Sequence, residues 1–266
     1  MMNALNPVFA SRPVTIFAVM SALARRHGAI NLGQGFPDED GPHALKEIAA
    51  RAILDDPNQY APVAGLPALR EAVAAANRRF YGIEVDPETE TLVTAGATEA
   101  LASAFMAFLR PADEAVLFAP VYDCYAPIVE AAGAVARIVR LQPPHWRLER
   151  GAIEAALSPR TRVMAINTPH NPTGRVLTRE ELQTVADIAV ARDLLVICDE
   201  VYEHLVFDGR AHLPLMAFPG MRERTVRIGS AGKTFSMTGW RIGYISGPAR
   251  LIEGVMKAHQ FIAYTC

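Results

Sequence analysis

The sequence predicts an α/β domain, a mainly parallel seven-stranded sheet with helices on both faces. Three observations predict it. Apolar, β-rich runs alternate with helical patterns along most of the chain, the order that builds a parallel sheet from strand–helix–strand units. Leu194-Leu-Val-Ile-Cys198 is a continuous apolar run, as expected of a strand buried on both faces. Polar side chains suited to chemistry recur just after the predicted strands, where open α/β sheets bind ligands.

The elements follow in order. Thr15-Ile-Phe-Ala-Val-Met-Ser-Ala-Leu-Ala24 reads as an amphipathic helix. Residues 66–80 read as a helix with Leu66, Leu69, Val73, Ala76 and Phe80 on one face. Thr91 to Ala95 is the first strand, followed by a helix carrying Leu101, Phe105 and Phe108. Ala115 to Ala119 is a strand, with a helix near 124–132 behind it. Val135 to Leu141 and Arg162 to Asn167 are strands. Thr178 opens a helix with a capping box, Thr178-x-x-Glu181, and a stripe of Leu182, Val185, Ala186 and Ala189. The run 194–198, Thr225 to Gly229 and Ile242 to Ser246 complete the strands, and the chain closes on a helix-like stretch.

Composition excludes several classes of function. Among 266 residues, 26 basic side chains meet 28 acidic ones, so no net field attracts nucleic acid or an anionic membrane. Cys124, Cys198 and Cys266 are too few and too scattered for a disulfide framework, and no CxxC pair suggests a metal. A cytoplasmic, reducing compartment fits, with Cys198 as a small buried residue. No apolar run approaches the ~18 residues of a membrane span. Residues 1–37 hold Arg12, Arg25 and Arg26 and no acid, which resembles a transit peptide, but the helix at 15–24 explains the same residues as part of the fold.

The candidate chemistry begins at Lys233. Gly232-Lys-Thr is the ending of a phosphate-binding P-loop, but that motif needs glycine at position 227, which is Arg. Asn31-Leu-Gly-Gln-Gly-Phe-Pro-Asp38 contains GxG but carries Pro37 in place of further glycine, which excludes a dinucleotide fingerprint. Read alone, Lys233 is a surface charge, Asp199 a capping or loop carboxylate and Asn167-Thr-Pro-His-Asn-Pro-Thr-Gly174 a turn cluster. Gly96-Ala-Thr98 reads as a strand-to-helix turn capped by Thr98 that also suits an anion. Tyr122 reads as core packing, and Tyr60 as a loop tyrosine.

Taken in register, these segments resemble the class I and II (fold type I) pyridoxal-phosphate aminotransferases. Ser230, Lys233, Gly239 and Arg241 match that family's cofactor-attachment signature, and the Asn-Pro-x-Gly loop at 171–174 and Asp199-Glu-Val-Tyr202 match its other motifs. The resemblance implies that Lys233 holds pyridoxal 5′-phosphate as a Schiff base and shuttles a proton. Asp199 would pair with the pyridine nitrogen, and Tyr202 and Asn171 would bond the phenolic oxygen. Gly96, Ala97, Thr98, Ser230 and Arg241 would hold the phosphate, and Tyr122 would stack on the ring. Gly35, in an arm closing over the site, and Asn171 would meet the substrate. Tyr60 would reach a neighbouring subunit's phosphate, which requires a homodimer.

The resemblance also divides the chain into an arm and the start of a small domain at 1–40 and a large cofactor-binding domain at 41–266. The family's small domain continues further and carries the arginine that binds the substrate carboxylate, so the chain reads as the front part of such an enzyme. The wording of the arm and of Asp123-Cys-Tyr125 resembles the methionine, glutamine and kynurenine subgroup, which implies an apolar, sulfur-containing or aromatic donor and a 2-oxo-acid acceptor. Two alternatives stay open: a carbon–sulfur β-lyase on the same scaffold, and a cofactor-binding remnant without turnover.

Overall fold

A computed structural model of the chain describes residues 5–35 and 37–266. Four helices lead in: α1 (Pro7–Ala10), α2 (Ile16–His27), α3 (His43–Asp55) and α4 (Pro67–Tyr81). Strands and helices then alternate as β1 (Thr91–Thr94), α5 (Ala97–Phe108), β2 (Glu114–Ala119), α6 (Tyr125–Ala131), β3 (Val135–Arg140), α7 (Arg150–Ala156), β4 (Thr161–Asn167), α8 (Arg179–Ala191) and β5 (Leu195–Asp199). The chain continues through β6 (Thr225–Ser230), the single turn α9 (Ala231–Thr234), β7 (Gly243–Ser246) and α10 (Ala249–Ile262). No helix among the described residues is long and apolar enough to cross a membrane.

The seven strands form one sheet in the order β1-β7-β6-β5-β4-β2-β3. Every pairing is parallel except those of β7, which runs antiparallel to both β1 and β6. The alternation of side chains divides the core. Leu117, Ala165, Ile197 and Ile228 face a layer that includes α5, α6 and α10, through Phe105, Val129 and Val255. Phe118, Met164, Val196 and Cys198 face α7 and α8, through Ile153, Leu182 and Val185. Both faces are therefore covered, which is why β5 reads as an unbroken apolar run.

Local signals placed most elements within a residue or two. Thr15 caps α2, its Oγ1 accepting the N–H of Ala18 at 3.3 Å. The box at Thr178 and Glu181 closes in both directions, and Glu181 also binds the Arg175 guanidinium at 2.7 Å and the N–H of Leu148 at 2.9 Å.

Two readings need correction. The buried face of α4 is Arg70, Val73 and Asn77, whereas Leu66 and Phe80 are 57% and 53% exposed. Asn77 sits on that face because it accepts from the buried guanidinium of Arg227, and Arg70 because it donates to the carbonyls of Gly65 and Pro87. Thr98 does not cap α5: Gly96 occupies the cap position, and no side chain bonds the helix start. Helices α3 and α7 gave no usable pattern, since α3 buries no residue and α7 buries only Ile153.

The pairing of β6 with β7 puts Gly229 opposite Tyr244. A Cβ at 229 would stand 2.1 and 2.4 Å from two atoms of the Tyr244 ring and 2.6 Å from its hydroxyl oxygen, which is fixed by donating to Glu203 at 3.1 Å. Gly229→Ala is expected to cost about 2–4 kcal/mol in denaturant unfolding, because neither strand nor ring can yield. Gly254→Ala, in α10 with open space around it, is expected to be neutral or to stabilise by about 0.5–1 kcal/mol.

Candidate active site

The five strands β1, β2, β4, β5 and β6 run the same way, so their carboxyl ends share one edge of the sheet. Just beyond those ends stand Gly96 to Thr98, Tyr122, Asn171, Asp199 with Tyr202, and Lys233. Strand β7 runs the other way, so that edge receives its start, and Arg241 lies two residues before Gly243. The reversal is what brings Arg241 to the group. A cleft of about 680 Å³ opens there. It is lined by Ala97, Thr98, Tyr122 and Asn171, by the buried Asp199 and Ser230, by the half-buried Tyr202 and Lys233, and by the exposed Arg241. Gly35 of the arm reaches its rim together with Gln34 and Phe17. Phe36, within the same arm, lies outside the described residues.

Asp199 is the buried anion of the cleft. Tyr125 donates its hydroxyl to Oδ2, and the N–H of Val201 approaches Oδ1 at 3.3 Å. The side chain of Asn167 donates to the Asp199 carbonyl at 2.9 Å, which ties the end of β4 to the end of β5. Burial pushes the Asp199 carboxyl up to about 6, with the Tyr125 and Val201 hydrogen bonds and the Lys233 charge pulling the other way. Lys233 is depressed below the usual lysine range by burial and by the Arg241 charge, against the attraction of Asp199. Its Nζ lies 5.5 Å from the centre of the Tyr202 ring. Tyr202 is held protonated by burial and by the Asp199 charge, and the Asn171 amide approaches its hydroxyl at 3.4 Å.

The opposite end of the cleft is an anion cradle. Helix α5 begins uncapped at Gly96, whose φ of 81° is open to glycine, so its first N–H groups are free for a ligand. A Cβ on Gly96 would come within 2.5 Å of the Arg241 guanidinium, and one on Gly243 within 2.5 Å of the Gly96 carbonyl carbon. Arg241 itself holds a left-handed φ of 56°, the kind of local strain that tends to be kept where a side chain must point one way. Ser230 accepts the Lys233 backbone N–H at 3.4 Å, leaving its own proton available. Helix dipole, guanidinium and hydroxyl together suit a phosphate dianion. A buried carboxylate, a low-pKa amine and this cradle around one slot fit a phosphorylated pyridine aldehyde.

Tyr60 is the predicted residue that the structure does not bring to this cleft. It is 82% exposed and meets Tyr264 edge-on at 5.2 Å. Tyr125 is the residue that sequence reasoning missed. It lies three positions after Tyr122, one helical turn on, and only the fold shows that this turn aims its hydroxyl at a carboxylate 74 residues later. Phe17, His170 and Leu205 line the cleft and were missed as well, since no local motif marks them.

Asp199 sets a pH dependence of stability. Its proton is held up to about 6 in the folded chain against an ordinary 3.8, so stability declines as pH rises between those values. Holding the carboxyl at about 6 instead of 3.8 corresponds to about 3 kcal/mol. Asp199→Asn is expected to raise the thermal midpoint of the ligand-free protein by several degrees at pH 7 to 8, through relief of that cost. The gain should vanish near pH 4. A loss of stability at neutral pH would contradict this account of the site.

Comparison with known proteins agrees with the architecture. The family model described as aminotransferase class I and II matches residues 27–266. A probable N-succinyldiaminopimelate aminotransferase of Mycobacterium tuberculosis is 54% identical over 252 residues, covering 94% of this chain and 64% of its own length. The methionine aminotransferase of Escherichia coli is 45% identical over 251 residues, covering 94% and 65%. Mouse kynurenine–oxoglutarate transaminase 3 is 41% identical, covering 94% and 58%. The solved structure of the M. tuberculosis N-succinyldiaminopimelate aminotransferase superposes with a TM-score of 0.96 at 52% identity, covering 99% of this chain and 69% of that one. The chain thus spans a little under two thirds of the length of these curated relatives.

Proposed function

Because the chain belongs to the class I and II aminotransferase family, whose members use pyridoxal phosphate, we propose that it moves an amino group from an α-amino acid to a 2-oxo acid with that cofactor. The observation that carries this reading is the convergence of the Lys233 amine, the Asp199 carboxylate and the cradle of Gly96 and Arg241 on one cleft. The bound cofactor supplies an aldehyde that condenses with amines and a ring that takes up electrons from the carbon losing its proton.

The side chains divide the work. Lys233, whose pKa burial and the Arg241 charge depress, would hold the cofactor and afterwards accept and return the substrate proton. Asp199, ionised at neutral pH and oriented by Tyr125, would pair with the pyridine nitrogen and keep it protonated. Tyr202 and Asn171 converge as donors for the phenolic oxygen. The N–H groups of Ala97 and Thr98, the Ser230 hydroxyl and Arg241, which line the cleft, would hold the phosphate, and Tyr122, in the same lining, would stack on the ring. Gly35 and Asn171 meet the substrate at the rim.

The donor is proposed to be apolar, sulfur-containing or aromatic, since Phe17, Leu205 and Phe207 line the mouth of the cleft. Relatives named for methionine and for kynurenine support this, and the relative named for N-succinyldiaminopimelate defines the competing donor class. The working form is proposed to be a cytoplasmic homodimer in which exposed Tyr60 serves the neighbouring subunit.

Lys233→Ala is the test of the assignment. The unaltered protein is expected to bind pyridoxal phosphate with a yellow absorbance band, to retain it covalently after borohydride, and to convert methionine and a 2-oxo acid. The variant is expected to retain nothing covalently and to lose roughly 1,000-fold or more in turnover, as removal of a covalent catalyst does. A chromophore still fixed by borohydride in the variant would overturn the reading. Faster conversion of N-succinyldiaminopimelate than of methionine or kynurenine would overturn the donor class alone.

A further inference from the structure

Glu99 and His259 form a buried pair that the proposed chemistry does not use. Glu99 stands in the first turn of α5, three residues after Gly96, and His259 is fully buried near the end of α10. An acid in the first turn of a helix is ordinarily explained by the helix dipole. This one points backwards. Its Oε2 accepts the N–H of Ala95, the residue ahead of Gly96, at 3.2 Å, and Ser103 donates its hydroxyl to Oε1. The carboxylate therefore fastens the backbone from which the phosphate turn springs.

His259 holds the carboxylate in turn. Its Nδ1 lies 3.1 and 3.0 Å from the two Glu99 oxygens, and its Nε2 lies 3.1 Å from the carbonyl of Val63. The ring is thus held from both sides, by the carboxylate at one nitrogen and the Val63 carbonyl at the other. The turn has no slack on its other sides. Gly96 and Ala97 are in contact with Gly243, and Gly96 with the Arg241 guanidinium, so closely that neither glycine has room for a Cβ. A cradle confined in this way loses its aim with shifts of about 0.5 Å.

We infer that Glu99 and His259 are positioning residues for the phosphate cradle, holding Ala95 and Gly96 so that the start of α5 and Arg241 face one anion. The inference rests on the cofactor reading above. It predicts a defect specific to the phosphate. Dissociation constants would be measured by absorbance titration with pyridoxal phosphate and with pyridoxal, which lacks the phosphate, alongside the ligand-free unfolding temperature. Glu99→Leu is expected to weaken pyridoxal phosphate roughly tenfold while pyridoxal stays within about twofold, as for one lost hydrogen-bonded contact. Glu99→Gln is expected to return to within about threefold of the unaltered protein, because its oxygen still accepts from Ala95 and its amide donates to a singly protonated ring.

Equal losses for both ligands, or none for either, would overturn the inference. Should Glu99→Leu fail to fold, the same ratio is read on His259→Gln, with the same expectation of a loss confined to the phosphorylated ligand. If the unaltered protein binds neither ligand, the cofactor reading falls and takes this inference with it. Tight binding of pyridoxal phosphate with an unchanged ratio in the variants would remove this inference alone.

Discussion

A full positive charge inside the sheet constrains the rest of this structure. Arg227, in the middle of β6, is buried and must be neutralised there. Burial works against its charge, but Glu200 at 2.8 Å and Glu203 at 2.5 Å outweigh it. Asn77 accepts from the same guanidinium, the Tyr81 ring lies beneath it at 4.8 Å, and Tyr244 and His212 complete the shell on the two glutamates. Removing one partner of such a cluster costs about 3–5 kcal/mol, since a charge is stranded. Its members come from α4, the segment after β5, β6 and β7, so the cluster fixes those elements against one another.

That constraint reaches the candidate site through the chain itself. Glu200 follows Asp199 directly, and Glu203 follows Tyr202, so the ion cluster holds the backbone that presents both site residues. Arg227 sits three residues before Ser230, at the start of the turn that offers Lys233. The cleft side of this backbone carries chemistry, and its far side carries an interior salt network. Preorganisation of this kind lets Asp199 stay buried, raised in pKa and still aimed, with Tyr125 donating to its carboxylate.

The reversal of β7 has a comparable effect at the other end of the cleft. A parallel seventh strand would have placed its carboxyl end at the site and Arg241 at the opposite edge. Running antiparallel, β7 delivers Arg241 beside Gly96 and presses Gly243 against the same turn. The cradle therefore depends on strand direction as much as on residue type.

Much of this was legible in the chain. The strands of the parallel core, the capping box at Thr178 and the buried run of β5 follow from periodicity and local hydrogen bonding, which act over a few residues and leave a local pattern. The same holds for the placement of Lys233, Asp199 and Gly96 after strands, because a parallel sheet sends all such positions to one edge. What the tertiary structure decided are relations between distant segments: Tyr125 on Asp199, His259 on Glu99, Asn77 on Arg227 and the direction of β7. The polar stripe of α4 shows why. A helix face is selected by what it packs against, and the partner here is a buried charge 150 residues away that no local period records.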